Sequence, residues 1–257
     1  MKNSISFDRA ADFYDQTRDF PEPVASQGIQ AILDAAGAGA RMLDAGTGTG
    51  RVSVPLLNRG ADLFGVDLST KMMGFLRGKF PSARIAQADV SKLPFPGKTF
   101  DAVLTCHVMH LVGPWREALS EYRRVLKPQG VYINARTEHV GESVHEQVRS
   151  YWRNLVKEYG IQSQRPGARD DKELLKALTT MGAKVTLVEV VRYPRTYVVR
   201  EIIEGIASRT YSHTWDVPDE VMGQSLEELR SWARNEYGDM DRKFEEEACF
   251  ILDITHF

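Results

Sequence analysis

The segment Met42-Leu-Asp-Ala-Gly-Thr-Gly-Thr-Gly50 constrains this chain more than any other stretch. It sets a buried strand, an acid and three alternating glycines directly before a helix. Glycine lets a loop turn sharply and lets a ligand touch backbone, so the segment predicts a strand-to-helix turn at a binding edge. Several nucleotide folds use such a turn, and spacing separates them. A dinucleotide fingerprint wants glycines at the first, third and sixth positions. Counted from Gly46 the sixth is Arg51, which cannot give the close helix-to-strand packing of a third glycine. A P-loop ends in Gly-Lys-Ser/Thr, whereas this loop runs Gly50-Arg51-Val52. The loop therefore carries no reason to hold pyrophosphate.

Around the loop, short apolar runs alternate with helical patterns between residues 24 and 136, as in a parallel sheet covered by helices on both faces. Strands are expected at Arg41 to Leu43, Asp62 to Val66, Ala83 to Ala86, Ala102 to Thr105 and Val131 to Ala135. Helices are expected at Val24 to Ala36, Arg51 to Asn58, Lys71 to Phe80 and Trp115 to Leu126, the last stopped by Pro128 and Gly130. Further on, Val144 to Tyr159, Asp170 to Met181, Glu201 to Ser208 and Pro218 to Tyr237 read as helices, with strands at Lys184 to Val191 and Ala248 to Ile254. The helices between the last two strands, about 198–238, are the natural place for a cap over a substrate.

Two further acids sit where a ligand would meet them. Asp67 ends the run LFGV seventeen positions after Gly50, where a carboxylate can accept both hydroxyls of a ribose. Asp89 follows the run Arg84 to Ala88. Three strand ends carrying Asp44, Asp67 and Asp89 would face one crevice at the carboxyl edge of a parallel sheet, where open α/β folds bind ligands. The other reading of each acid is a cap on the helix behind it.

Composition removes several classes of function. Lys and Arg total 33 against 35 Asp and Glu, a net charge of −2, and no basic stripe offsets it, so nucleic acid is not the expected partner. Cys106 and Cys249 are the only cysteines, too few for a disulfide framework, a four-cysteine zinc site or a three-cysteine iron–sulfur motif; no metal is expected. The start MKNSISFDRAADFYD lacks the apolar core of a signal peptide, and no run approaches the ~20 apolar residues of a membrane span. The expectation is a cytoplasmic protein, monomer or homodimer.

MLDAGTGTG, then GVDLST, then ADVSKLPFPGKTFDAV, then EYRRVLKPQG together resemble the class I S-adenosylmethionine-dependent methyltransferases. The likeness is closest to the ubiquinone/menaquinone-biosynthesis-like small-molecule branch, methyltransferase types 11 and 25. It runs from about Phe7 to Ile133, with the four motifs in the family's order and spacing. It departs at Thr47, where cysteine is frequent, and at Gln129, where a second glycine is frequent. The resemblance implies one domain over 1–257, Rossmann-like, with seven mostly parallel strands and the last antiparallel. Cap elements would come from 1–23 and about 198–238. It also implies S-adenosyl-L-methionine as cofactor and S-adenosyl-L-homocysteine as product, with a small-molecule methyl acceptor. By the same resemblance Asp44, Ala45, Gly46, Thr47, Gly48 and Gly50 approach the methionine part. Asp67 would meet the ribose, Leu68 and Met72 the adenine faces, and Asp89 with Val90 the adenine edge. Tyr14 would cover the sulfonium end and Arg18 meet the methionine carboxylate, a cation–aromatic and a charge pairing.

Methyl transfer is an in-line displacement, so alignment in a dry site supplies much of the rate. A base is needed only when the acceptor must lose a proton. Cys106, His107 and His110 follow the fourth strand at the edge that carries the acids. His107 is the candidate catalytic base or substrate contact, Cys106 offers backbone to the cofactor, and His110 is a candidate substrate contact. In the stretch Ser208 to Trp215, Arg209, Tyr211 and Trp215 are candidates for an acceptor pocket suited to an anionic or aromatic molecule. Two rivals share the loop: an NAD-dependent oxidoreductase, opposed by Arg51, and a noncatalytic S-adenosylmethionine-binding module.

Overall fold

Alternating apolar runs and amphipathic stretches fold as they read. The computed structural model describes residues 4–18, 20–161 and 166–257; positions 1–3 and 19 of the expected N-terminal cap element lie outside them. The strands are β1 Arg41–Ala45, β2 Asp62–Asp67, β3 Arg84–Gln87, β4 Phe100–Cys106, β5 Leu126–Val140, β6 Lys184–Val198 and β7 Lys243–His256. They form one seven-stranded sheet in the order β3-β2-β1-β4-β5-β7-β6. The first five pair in parallel, with Asp44 beside Gly65 and Asp67 beside Gln87, and the sheet turns antiparallel at its last strands. Parallel strands covered on both faces must be apolar throughout. β1 follows the rule at Met42, Leu43 and Ala45, all buried, and breaks it at the buried acid Asp44.

The helices are α1 Tyr14–Arg18, α2 Ile29–Ala36, α3 Ser53–Asn58, α4 Thr70–Lys79, α5 Trp115–Val125, α6 Val144–Glu158, α7 Asp171–Thr180, α8 Val199–Ala207 and α9 Asp219–Tyr237. Several begin where a short polar side chain satisfies a free N–H. Ser69 accepts from the Met72 amide before α4, Ser143 from Glu146 before α6, and Asp170 from Glu173 before α7. α5 buries Trp115, Ala118, Leu119, Tyr122 and Val125 on one side, the stripe that its spacing predicts. Each large side chain so buried contributes about 1.5–3 kcal/mol.

The backbone divides into two compact units, Met1–Thr137, Pro166–Val191 and Phe250–Phe257 in the first, and Glu138–Arg165 with Arg192–Cys249 in the second. The core of the first unit gathers Phe100, Tyr122 and Tyr132 with the buried ends of β1 and β2. In the second, Trp152 of α6 packs with Ile202 of α8 and Leu229 of α9, and its indole N–H donates to the buried Ser225 hydroxyl at 3.1 Å. The second unit thus recruits α6 as well as the late insertion expected to form a cap.

Three strands run well beyond their apolar runs. β5 spans 15 residues, β6 15 and β7 14, because ladder hydrogen bonds continue through charged stretches such as KFEEE, whose side chains alternate between half-buried and exposed. α5 stops at Val125, and Gln129, near the start of β5, stands at φ +68°. That left-handed turn gives the physical reason for glycine at this position, since a Cβ is penalised there. Gln129→Gly is expected to raise folding stability by about 0.5–1 kcal/mol in urea titration. An unchanged or lowered midpoint would show that the side chain contributes more than its strain removes.

Candidate functional site

The glycine loop turns at three left-handed glycines, Gly46, Gly48 and Gly50. Two of them are enforced by neighbours: a Cβ on Gly46 would meet Val108 Cγ2 at 2.4 Å, and one on Gly50 would meet Val54 Cγ2 at 2.7 Å and Leu76 Cγ at 2.9 Å. Close helix packing is therefore made at Gly50, one position before Arg51. The loop's N–H groups face inward. Those of Gly46 and Thr47 donate to the Val66 carbonyl at 2.8 and 3.0 Å, that of Gly50 to the Thr47 carbonyl, and that of Gly48 to Asp67 Oδ2 at 2.9 Å. A loop that spends its donors this way, beside a carboxylate, is unsuited to pyrophosphate.

Instead the site accumulates buried negative charge. Asp44 is 2% exposed; the Ser53 hydroxyl donates to its Oδ2 at 2.6 Å, and Thr47 Oγ1 lies 2.6 Å from Ser53 Oγ. Burial pushes the Asp44 carboxyl up to about 6, and the Asp67 charge adds to the rise. Asp67 is also pushed up by burial, against the N–H groups of Ser69 and Gly48 that it accepts. Each Asp67 oxygen thus keeps capacity for a further hydroxyl donor. Leu68 is half-buried and Met72 buried behind Gly48. Asp89 does cap a turn: its Oδ1 accepts from the Ser91 N–H and hydroxyl, both at 2.8 Å, with Val90 buried beside it.

The segment before α2 is tied across this loop. Asp15 accepts from the Thr49 hydroxyl at 2.5 Å and from Lys79 at 2.6 Å, Asp8 from the Ser69 hydroxyl at 2.5 Å, and Asp12 from Lys71 at 2.6 Å. Arg51 donates to the Arg18 carbonyl at 2.8 Å and to Cys106 Sγ at 3.5 Å, and its guanidinium stacks 4.3 Å over Phe20. Tyr14 sits edge-on to Phe7, with ring centroids 6.0 Å apart. Burial pushes the Cys106 thiol up, which leaves it protonated and no nucleophile.

His107 is held at φ +57°, its N–H donating to the Ala135 carbonyl at 3.3 Å. Burial, then the charges of Arg51, His110, Arg18 and Arg136, hold its imidazole far below the usual range. It is a neutral hydrogen-bonding group and a weak base. Beneath lies a buried network: Arg136 grips Asp253 with Nε at 2.8 Å and Nη2 at 3.2 Å, and Asn134 Nδ2 donates to the same Oδ2 at 3.1 Å. Removing one partner of such a buried pair costs about 3–5 kcal/mol.

Comparison with known proteins decides what this arrangement is. Residues 43–134 match the family described as a methyltransferase domain. An uncharacterized methyltransferase of Mycobacterium tuberculosis is 31% identical over 232 residues, 88% of this chain and 85% of its own length. The chain belongs to the methyltransferase family. A demethylmenaquinone methyltransferase of Beutenbergia cavernae is 37% identical over 136 residues, 50% of this chain and 55% of that protein. A solved methyltransferase structure from Bacillus halodurans aligns with a TM-score of 0.60 at 18% identity, covering 89% of this chain and 96% of that one, a likeness of fold.

In this methyltransferase the expected cofactor residues from Tyr14 to Cys106 all lie in the first unit, as does His110, whose carbonyl accepts from Gly167 at 3.2 Å. Arg209, Tyr211 and Trp215 lie in the second. Arg209 spends its guanidinium on the carbonyl of Thr214 at 2.6 Å and on Asp219 at 2.6 Å, while Trp215 Nε1 donates to the Arg209 carbonyl at 2.9 Å; this pair knits its own turn. Tyr211 faces elsewhere, stacked on His213 and under Arg149. Sequence reading missed Asp8, Asp12, Asp15, Lys79 and the Arg136–Asp253 pair, since nothing in a charge pattern says which partners meet across dozens of residues. Arg51 was read only as a missing glycine.

Asp44 offers a test. Its folded-state carboxyl titrates at about 6 against an ordinary 3.8, so the folded protein retains a proton that the unfolded chain releases between those values. The ionised group costs stability fully above pH ~6 and not below pH ~4. Asp44→Asn is expected to gain about 3 kcal/mol of folding stability near pH ~8, the gain shrinking as pH falls through ~6 and vanishing near ~4. Urea titrations across that range measure it, and a pH-independent difference would contradict the account.

Proposed function

We propose that the chain transfers the methyl group of S-adenosylmethionine to a small-molecule acceptor. The observation that carries this reading is the pair of buried carboxylates, Asp44 and Asp67, beside a loop whose N–H groups are already spent. Such a site repels phosphate and suits a ligand that brings cationic and hydroxyl groups, as this cofactor does. The residues present fit it. Asp67 keeps lone pairs for ribose hydroxyls, Leu68 and Met72 offer apolar faces for adenine, and Asp89 with Val90 its edge. Asp44 with the loop from Ala45 to Gly50 meets the methionine part, which Tyr14 and Arg18 cover.

When bound, the cofactor supplies an electrophilic methyl on a sulfonium. The protein's work is then positional. The segment from Asp8 to Arg18 closes over the site and excludes water, Arg51 anchors that segment to the loop, and neutral His107 orients the acceptor through a hydrogen bond. Its weak basicity favours an acceptor that needs little help in losing a proton. The demethylmenaquinone methyltransferase relative supports a small-molecule acceptor.

The test is transfer of a tritiated methyl group from S-adenosylmethionine into the protein-free, low-molecular-weight fraction of a cell extract. Label should appear with the wild type and fall at least about tenfold with Asp67→Asn, since two charge-assisted bonds are weakened. Binding of the cofactor with no label transferred would mark a noncatalytic module. Binding of NAD in its place would overturn the reading altogether.

A further inference from the structure

The second unit holds a cluster that methyl transfer does not use. His139 lies near the end of β5, His145 and Glu146 lie in the first turn of α6, and Glu246 lies on β7. His139, His145 and Glu146 each bring one ligand atom to within 4.8 Å of the others. Nδ1 of His139 and Nδ1 of His145 are buried, and neither makes a hydrogen bond among the described residues. The Glu246 side chain is 7% exposed, and its Oε2 makes no hydrogen bond but lies 3.4 Å from His139 Nδ1. Its other oxygen accepts the Val144 N–H at 2.6 Å, which fixes the carboxylate. Buried polar atoms without a hydrogen bond call for an explanation: His139 Nδ1 faces Glu246 Oε2 at 3.4 Å, and His145 Nδ1 lies 3.7 Å from Glu146 Oε1.

We propose that His139, His145 and Glu146 form a site for a divalent transition metal of the zinc class, with Glu246 as the carboxylate that orients His139. Two imidazoles and a carboxylate are the donor set of an open zinc site, one position short of tetrahedral. Ligands about 2.0–2.1 Å from a zinc ion lie closer together than this cluster now does, and side-chain rotation closes the gap. A metal-bound imidazole turns its second nitrogen to a carboxylate, which is the relation of His139 to Glu246. Arg149 and Arg153 hold Glu146 at 3.1 and 3.4 Å. They preorganise its carboxylate while opposing a cation, so the site binds more weakly than a four-ligand structural one. The cluster has no signature along the chain, since His139 and Glu246 are brought together only by the neighbouring strands β5 and β7.

The full chain, tag-free and stripped with a chelator, should be titrated with cobalt(II) chloride. One equivalent is expected to give a saturable visible absorption, which zinc chloride abolishes. His139→Gln and His145→Gln should each remove the signal, Glu246→Gln should weaken binding about 10–100-fold, and His256→Ala, at an exposed site, should leave it unchanged. Wild-type protein that shows no saturable absorption overturns the proposal, as does absorption that survives in both histidine variants. The wild-type titration needs no variant to fold.

Discussion

Asp44 and Asp67 stand at the ends of neighbouring parallel strands, Asp44 buried and Asp67 half-buried, and the Asp67 charge raises the cost of ionising Asp44. A chain spends stability in this way only where something offsets it on binding. The glycines are the geometric condition: with side chains at Gly46 or Gly50, Val108 or Leu76 would be displaced and the loop could not turn over the acids. Hydroxyls of Ser53 and Thr47 then supply the hydrogen bonds that make Asp44 tolerable without neutralising it.

The rest of the first unit serves that pocket at graded strength. Beneath, Arg136 and Asp253 form a buried bidentate pair that locks β5 to β7. Above, the segment from Asp8 to Arg18 is fastened by contacts such as Lys71 with Asp12 and Lys79 with Asp15, whose side chains are largely open to solvent. Exposed pairs are worth about 0–1 kcal/mol each. A rigid floor and a weakly tethered cover suit a site that opens to take in a ligand and to release it.

The sheet was legible in the sequence wherever burial on both faces left an unbroken apolar run. Strands β1, β2 and β4 and the stripe of α5 follow from it, whereas β3 is an edge strand with largely exposed side chains. The long ends of β5, β6 and β7 were not, because their pairing rests on backbone hydrogen bonds that charged side chains neither announce nor prevent. The glycine loop and the two acids were readable because their order along the chain is their order along the sheet edge. The clasp of Asp8, Asp12, Asp15 and Arg51 was not, since it joins residues far apart in sequence through ordinary surface side chains. Arg209 and Trp215 show the converse: polar and aromatic residues in a loop suggest a pocket, yet these two satisfy one another.

The measurement closest to the central claim is calorimetry of S-adenosylmethionine binding between pH ~5 and ~7 in buffers of different ionisation enthalpy. If the ligand's positive charge is met by a carboxylate that titrates at about 6, binding below that pH must release a proton, and affinity must fall as pH drops. That linkage is expected in the wild type and is expected to be lost in Asp44→Asn. An affinity independent of pH, with no proton released, would contradict it.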